Sequence, residues 1–494
     1  MLIRKYLPLS LLVTFAFLGF TSCDSKKENA IAEVEKKTNI IFILADDLGY
    51  GDLGFLGQEY IETPNIDRLA KEGMFFTNHY SGATVCAPSR SSFLTGLHTG
   101  HTPIRGNREV QPEGQYPMPD SIPTVAKVLE NAGYKTGAFG KWGLGFVGTT
   151  GDPNQQGFEE FYGYNCQRYA HRYYPAHLWH NSDKIVLEGN GWVDKTVYAP
   201  DVIQKETITF LENNKDNPFF LFMPIVMPHA ELAAPDDEII EKYKAKFGDE
   251  KPHPAGKGTE YGPDINITAY QSHPTPHAAF AAMVERMDVY VGEVLAKLDE
   301  LGIAENTLII FASDNGAHQE GGADPDFFDS NGPFRGHKRD LYEGGVRTPM
   351  IAWWPGKIKA GSKSDHISAF WDLLPTFADV AGAEIPTNID GISFLPSMLE
   401  QKDQKEHEYL YWEFHEQGGK QAVRQGKWKA VKLQVFGSDR PKIELYDLSV
   451  DLGEKNNIAA ENPEKVKEME ALMNSSHTEN PIFSLLPSER QAAK

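Results

Sequence analysis

Continuous apolar runs, rather than strict alternation, mark the first three quarters of the chain. Asn39-Ile40-Ile41-Phe42-Ile43-Leu44-Ala45 is the first, and a run with no polar face reads as a strand covered on both sides, as in a parallel sheet. Similar runs at 136–139, 218–227, 306–312 and 350–354 predict further strands. Between them the period changes. Over 276–301 the apolar residues Phe280, Met283, Val284, Met287, Val291, Leu295 and Leu298 form a helical stripe that Gly302 ends. Thr63-Pro64-Asn65-Ile66 opens a helix with proline in its first turn and Gly73 closes it. Helices are also predicted over 121–131 and 373–380. Strands alternating with helices in this way predict an α/β fold, a large mixed but mostly parallel sheet flanked by helices.

From about residue 397 the pattern becomes aromatic and alternating. Segments 409–414, 421–423, 427–433 and 443–448 predict a smaller antiparallel sheet closed by a helix over 463–474. The stretch 231–277 carries Pro, Gly and charge without a period, and reads as a loop that covers a site. At the N-terminus, Arg4 and Lys5 precede an apolar stretch over 7–20 and then Thr21-Ser22-Cys23. That stretch is shorter than the roughly 20 residues needed to span a bilayer, so a signal peptide is expected over 1–22. Cys23 resembles a bacterial lipoprotein acceptor, with ordinary signal cleavage as the alternative, and 23–37 reads as a polar tether. The expectation is an exported bacterial protein, periplasmic or on the outer membrane or cell surface, that meets membrane only through a lipid anchor. A catalytic domain over 38–396 and a C-terminal α+β subdomain over 397–494 complete the division.

Composition narrows the function. The 494 residues are 24% charged and 40% hydrophobic, which is ordinary for a globular chain. A formal net charge of -21 disfavours nucleic acid and gives no long-range attraction for a polyanion. Any anion site must be a local basic cluster.

Two of the buried runs end in oxygen-bearing pairs, Asp46-Asp47 and Asp314-Asn315. The carboxyl ends of parallel strands are where α/β sheets bind ligands. Three carboxylates and an amide gathered there would repel one another without a cation, and an all-oxygen set suits calcium or magnesium. Taken alone, Asp46 and Asp47 could equally be a helix cap and a turn.

Cys86-Ala87-Pro88-Ser89-Arg90-Ser91-Ser92-Phe93-Leu94-Thr95-Gly96 resembles the signature of the formylglycine-dependent sulfatases, whose cysteine is oxidised to an aldehyde. The resemblance continues, in family order, through Gly140-Lys141-Trp142, Pro228-His229, Ser313-Asp314-Asn315-Gly316, Lys338, Tyr342-Glu343-Gly344-Gly345 and Glu444-Leu445-Tyr446-Asp447-Leu448. It implies an alkaline-phosphatase-like fold and a sulfuric ester hydrolase made active by a formylglycine-generating or sulfatase-maturating enzyme. It implies one calcium ion held by Asp46, Asp47, Asp314, Asn315 and the modified Cys86. By the same resemblance, Arg90 holds the modified side chain and Lys141 and Lys338 grip sulfate oxygens. His229 with Lys338 protonates the leaving alcohol. The chemistry has its own logic. A serine that attacked sulfur would end as a stable sulfate ester, whereas a hydrated aldehyde keeps a second hydroxyl whose proton can leave as sulfate is expelled. With Cys86 used this way and Cys23 lipidated, only Cys166 remains, so no internal disulfide is expected.

One position departs from the pattern. Many members have a histidine where this chain has Gly143, and His337 or His318 is the expected substitute. The segment 165–175, with Arg168 and His171, mixes aromatic and hydrogen-bonding groups as sugar-binding surfaces do. Together with His318-Gln319-Glu320 and Asp324-Pro325-Asp326 it resembles members acting on sulfated galactose or N-acetylgalactosamine, and the expected substrate is a sulfated carbohydrate of this kind. Sulfated marine-type polysaccharides, simple aryl sulfates, phosphate or phosphonate monoesters, and binding without catalysis are the alternatives.

Overall fold

The structure, a computed structural model, describes residues 36–191, 194–256, 270–271, 273–437 and 441–492. The expected signal peptide, Cys23 and nearly all of the tether lie outside these residues. Among the described residues no helix is long and apolar enough to cross a membrane. The chain from Lys37 to Lys494 forms one unit.

A ten-stranded mixed sheet is its spine. Asn39–Asp46 lies at the centre, parallel to Phe219–Pro228 on one side and to Thr307–Ser313 on the other. Lys135–Lys141 and Glu160–Tyr164 extend the parallel set beyond Phe219–Pro228, and the hairpin His177–His180 with Asp183–Val186 closes that edge. On the far side Met350–Trp353 runs antiparallel to Thr307–Ser313, followed by Met74–Phe76 and Ser362–Ser364.

The pattern of the first strand explains the layering. All eight of its residues are buried. Ile41, Ile43 and Ala45 enter one apolar layer, which includes the stripe of the helix Pro276–Glu300. Ile40, Phe42 and Leu44 enter the other, with Phe93, Leu129, Leu373 and Phe377 from three helices. A strand sandwiched in this way has no polar position to spare until it leaves the sheet, so its first carboxylates appear at its end.

Two expectations need correction. The helix predicted from 121 begins at Val125, with the Thr124 hydroxyl accepting the Lys127 amide at its N-terminus. Pro123 disfavours helical backbone at the residue before it, which keeps 121–122 out of the helix. The excursion 231–277 is also less irregular than expected. It contains the helix Glu238–Phe247, capped by the Asp237 carboxylate, with Ile240 and Tyr243 buried.

The C-terminal residues form the four-stranded antiparallel sheet Leu410–Phe414, Lys420–Gln425, Trp428–Leu433 and Lys442–Asp447. One face packs through Trp412, Phe414, Val431 and Tyr446 against Tyr80, Val85 and Trp371. The other packs on Met469 and Met473 of the helix Pro463–Ser476. Beneath the sheet, Lys429 and Arg347 clamp the buried Glu343, 2.7 and 2.6 Å from its two carboxylate oxygens.

Candidate active site

Two neighbouring strands end together and bring their oxygens to one point. Asp46 closes the Asn39–Asp46 strand, and Asp47 turns away with φ 67°. In the adjacent strand Asp314 and Asn315 follow Ser313. The Asp47 amide donates to Asp314 Oδ1 at 3.1 Å, and Asn315 Nδ2 donates to Asp47 Oδ1 at 2.7 Å. All four residues are fully buried. Asn315 Oδ1, sealed from water, has no hydrogen-bond partner.

The helix Cys86–Thr95 starts at the same point, and all ten of its residues are buried. Cys86 Sγ donates to Asp46 Oδ1 at 3.2 Å, with Lys141 Nζ 3.5 Å from the sulfur. One turn along, Arg90 reaches Asp314 Oδ2 at 3.1 Å and Asp46 Oδ2 at 3.3 Å, and also donates to the Lys141 carbonyl. In this arrangement Arg90 ties two carboxylates to the Cys86 helix. Burial and the Asp46 charge push the Cys86 thiol up, which is the reverse of what a thiolate nucleophile needs. An unaltered Cys86 is therefore a poor nucleophile here.

The cations come from two other segments. Lys141, at the end of Lys135–Lys141, lies 2.6 Å from Asp46 Oδ2. Lys338 lies 2.7 Å from Asp47 Oδ2, 3.0 Å from His229 Nε2 and 3.1 Å from Glu320 Oε2. Arg339 pairs with the other Glu320 oxygen at 2.5 Å. Burial opposes ionisation of Asp46, but Lys141, Arg90 and Lys338 outweigh it and hold the carboxyl well below its usual range. Asp314, also buried but beside the Asp46 and Asp47 charges, is pushed up to about 7. Burial, then Lys338 and Lys141, hold His229 well below the usual histidine range. Its Nδ1 contacts the Ala230 carbonyl, which leaves Nε2 to accept from Lys338.

Asp46, Asp47, Asp314 and Glu320 are balanced by Arg90, Lys141, Lys338 and Arg339. A divalent ion would give the cluster the positive charge that an incoming sulfate group requires. The donors fit such an ion. They are hard oxygens, one is orphaned, and one carboxyl is hard to ionise without further positive charge. Ligand atoms from Asp46, Asp47, Cys86 and His229 lie within 4.8 Å of one another.

The three expected sugar contacts separate. Arg168 pairs with Glu109 at 3.0 Å, partly exposed at the rim. His318 is buried with both ring nitrogens engaged, Nε2 with the Pro228 carbonyl at 3.1 Å and Nδ1 with the Glu320 amide at 3.2 Å. It therefore has no nitrogen left for the proton path expected of it. His171 stacks on His229, ring centroids 4.1 Å apart, and so belongs to the charged centre. Sequence reasoning gave Glu320 no role beside Lys338, and missed Arg339. Their signal is pairing across the fold, which no local pattern carries.

Residues 38–383 match the sulfatase family, and residues 334–479 match the C-terminal region of N-sulphoglucosamine sulphohydrolase. A Bacteroides thetaiotaomicron N-acetylgalactosamine-6-O-sulfatase is 30% identical over 518 residues, covering 93% of this chain and 96% of that protein. The rat N-acetylgalactosamine-6-sulfatase is 32% identical over 388 residues, and the match spans 73% of this chain and 66% of the rat protein. The crystal structure of a protein named Ps i-CgsB superposes with a TM-score of 0.74 at 29% identity, covering 92% of this chain and 96% of that one. The same protein has been crystallised with k-i-k-neocarrahexaose. Since the family match takes in both strand-end pairs, the Cys86 helix and both lysines, the chain belongs to the sulfatase family of sulfuric ester hydrolases.

Proposed function

We propose that this protein removes sulfate from galactose or N-acetylgalactosamine residues of a polysaccharide or glycosaminoglycan, acting at chain ends, with residue 86 as formylglycine beside one calcium ion. The observation that carries the reading is the convergence of Cys86, four buried oxygen-bearing side chains and two lysines on one point. The relative from Bacteroides, matched over nearly its whole length, supports the sugar class.

Residue 86 as hydrated formylglycine would supply the attacking oxygen, and a bound calcium ion would polarise a sulfate oxygen. Asp46, Asp47, Asp314 and Asn315 would hold the ion. Arg90 holds Asp46 and Asp314 together from the Cys86 helix. With the carboxylates committed to an ion, Lys141 and Lys338 would be free to turn to sulfate oxygens, where fixed charge in a dry pocket stabilises the transition state. Lys338 already donates to His229 Nε2, so a proton can pass along that contact to the departing alcohol oxygen. We also place the mature protein at the bacterial envelope, held by lipid on Cys23.

Intact-mass measurement of the peptide carrying residue 86 tests the nucleophile, with a loss of about 18 Da expected for conversion of thiol to aldehyde. A peptide at the unmodified mass in active enzyme overturns it. Galactose and N-acetylgalactosamine 4- and 6-sulfates, assayed against glucosamine and rhamnose sulfates, test the sugar. Turnover of only the latter two overturns the substrate assignment.

A further inference from the structure

Gly143 sits at φ 82°, and a Cβ there would lie 2.7 Å from Cγ and Nε2 of Gln167. Gln167 thus fills the space a side chain at 143 would take. The short helix Gln167–Ala170 that begins with this residue ends at His171, one turn later. The His171 ring lies nearly parallel to His229, at 12°. Its Nε2 is sealed from water and has no hydrogen-bond partner. The residue as a whole is only partly buried. After burial itself, Lys141 and Lys338 do most to hold His171 well below the usual histidine range, with Asp46 acting in the opposite direction. The imidazole is therefore neutral at neutral pH and has a lone pair to offer.

The alternatives are weaker. Both nitrogens of His318 are occupied. His337 has an open Nε2, but the charges that act on it are Asp340 and Asp326. Neither belongs to the catalytic cluster.

We propose that His171 is a further catalytic residue, its Nε2 accepting the proton that leaves residue 86 as sulfate is expelled. This rests on the formylglycine reading above. The step balances without a co-reactant. The O–H bond of the remaining hydroxyl breaks and its proton goes to Nε2. The freed electron pair closes the carbonyl, the bond from Cβ of residue 86 to the ester oxygen breaks, and sulfate leaves with that pair. Water that replaces the departed sulfate then takes the proton from His171.

Two measurements test this. In the Cys86→Ala chain, where formylglycine cannot form, inorganic sulfate should shift the ring nitrogen resonances of His171, and an unmoved Nε2 overturns the placement. In the mature enzyme, His171→Ala and His171→Gln should each cut turnover about a hundredfold while still releasing one equivalent of alcohol in a burst. The acid-quenched variants should then carry about 98 Da over the aldehyde form, the water and sulfuryl group of the sulfated hydrate, and free imidazole should restore turnover to the alanine variant. Wild-type turnover in both variants, or a slow alcohol burst with no added mass, overturns the role. A missing 18 Da loss in wild type would instead fault the formylglycine reading, and the sulfate titration would still decide where His171 points.

Discussion

Two of the buried charge clusters among the described residues are built differently. Beneath the C-terminal sheet, Glu343 receives Lys429 on one oxygen and Tyr80 with Arg347 on the other, and its own amide donates to Glu454 at 2.6 Å. At the strand ends, Asp46, Asp47 and Asp314 are also matched by cations, but Asn315 Oδ1 and His171 Nε2 have no partner. Both oxygens of Glu343 are engaged, and the neighbouring Glu454 Oε1, though without a hydrogen bond, faces Lys429 at 3.5 Å. Buried charge alone identifies neither cluster as an active site. Open hydrogen-bonding atoms that no cation pairs with do, because a fold gains nothing from sealing such atoms away unless something else occupies them.

The contrast can be broken by removing charge from each side. Lys141→Ala and Lys338→Ala should lower kcat/KM by about 10³-fold, with thermal stability in calcium little changed. A loss of folding as large as the loss of rate would make the strand-end cluster structural as well. Lys429→Met should do the opposite, costing about 3–5 kcal/mol by stranding Glu343 while kcat/KM of the folded fraction at low temperature stays within about twofold. Denaturant unfolding and kinetics on the same preparation separate the two.

Metal removal sharpens the difference. If the strand-end oxygens hold a divalent ion, calcium at a hundred times its dissociation constant adds about 2.7 kcal/mol, and Asn315→Leu should erase most of that gain. Lys429→Met should leave the gain intact. A calcium response of equal size in the Asn315 variant would place the ion elsewhere.

A smaller effect concerns pH. Burial raises the Glu454 carboxyl above its usual range, and Glu343 adds to this against the pull of Lys429. A raised acid binds its proton more tightly in the folded state. Its contribution is complete below the ordinary glutamate value and is lost as pH rises through about 7. Glu454→Gln should therefore match wild type near pH 5 and exceed it near pH 8 by on the order of 1 kcal/mol. Parallel melting curves at both pH values would refute the shift. The smallest effect belongs to Arg168→Ala, whose rim pairing with Glu109 is partly exposed. KM should change by no more than about threefold, and a larger rise would bring Arg168 into substrate contact.

The central strands were legible because a strand covered on both faces has to be apolar throughout, and their ends were legible because the first polar residues fall there. The helix Ala199–Asn214 escaped notice, since its buried residues are interrupted by Pro200, Gln204 and Thr207. Met74–Phe76 is too short to show a period. The positions of Lys141, His229 and Lys338 were available only through resemblance, because nothing local distinguishes them from surface charges. Ring stacking decides the place of His171, and it joins residues 58 positions apart in a way that spacing cannot reveal.

The burial of the Cys86–Thr95 helix bears on how the enzyme is made. Cys86 is 1% exposed, and every residue after it in the helix is as deeply enclosed, with the sheet and the strand-end charges packed around it. No second protein can take hold of that segment in the finished fold. If residue 86 is converted to formylglycine as proposed, the conversion must take place on the chain while it is still extended, and the order of synthesis, oxidation and folding would determine the yield of active molecules. On that reading, protein that folds first would be soundly built and inert, and later exposure to a modifying enzyme would not rescue it.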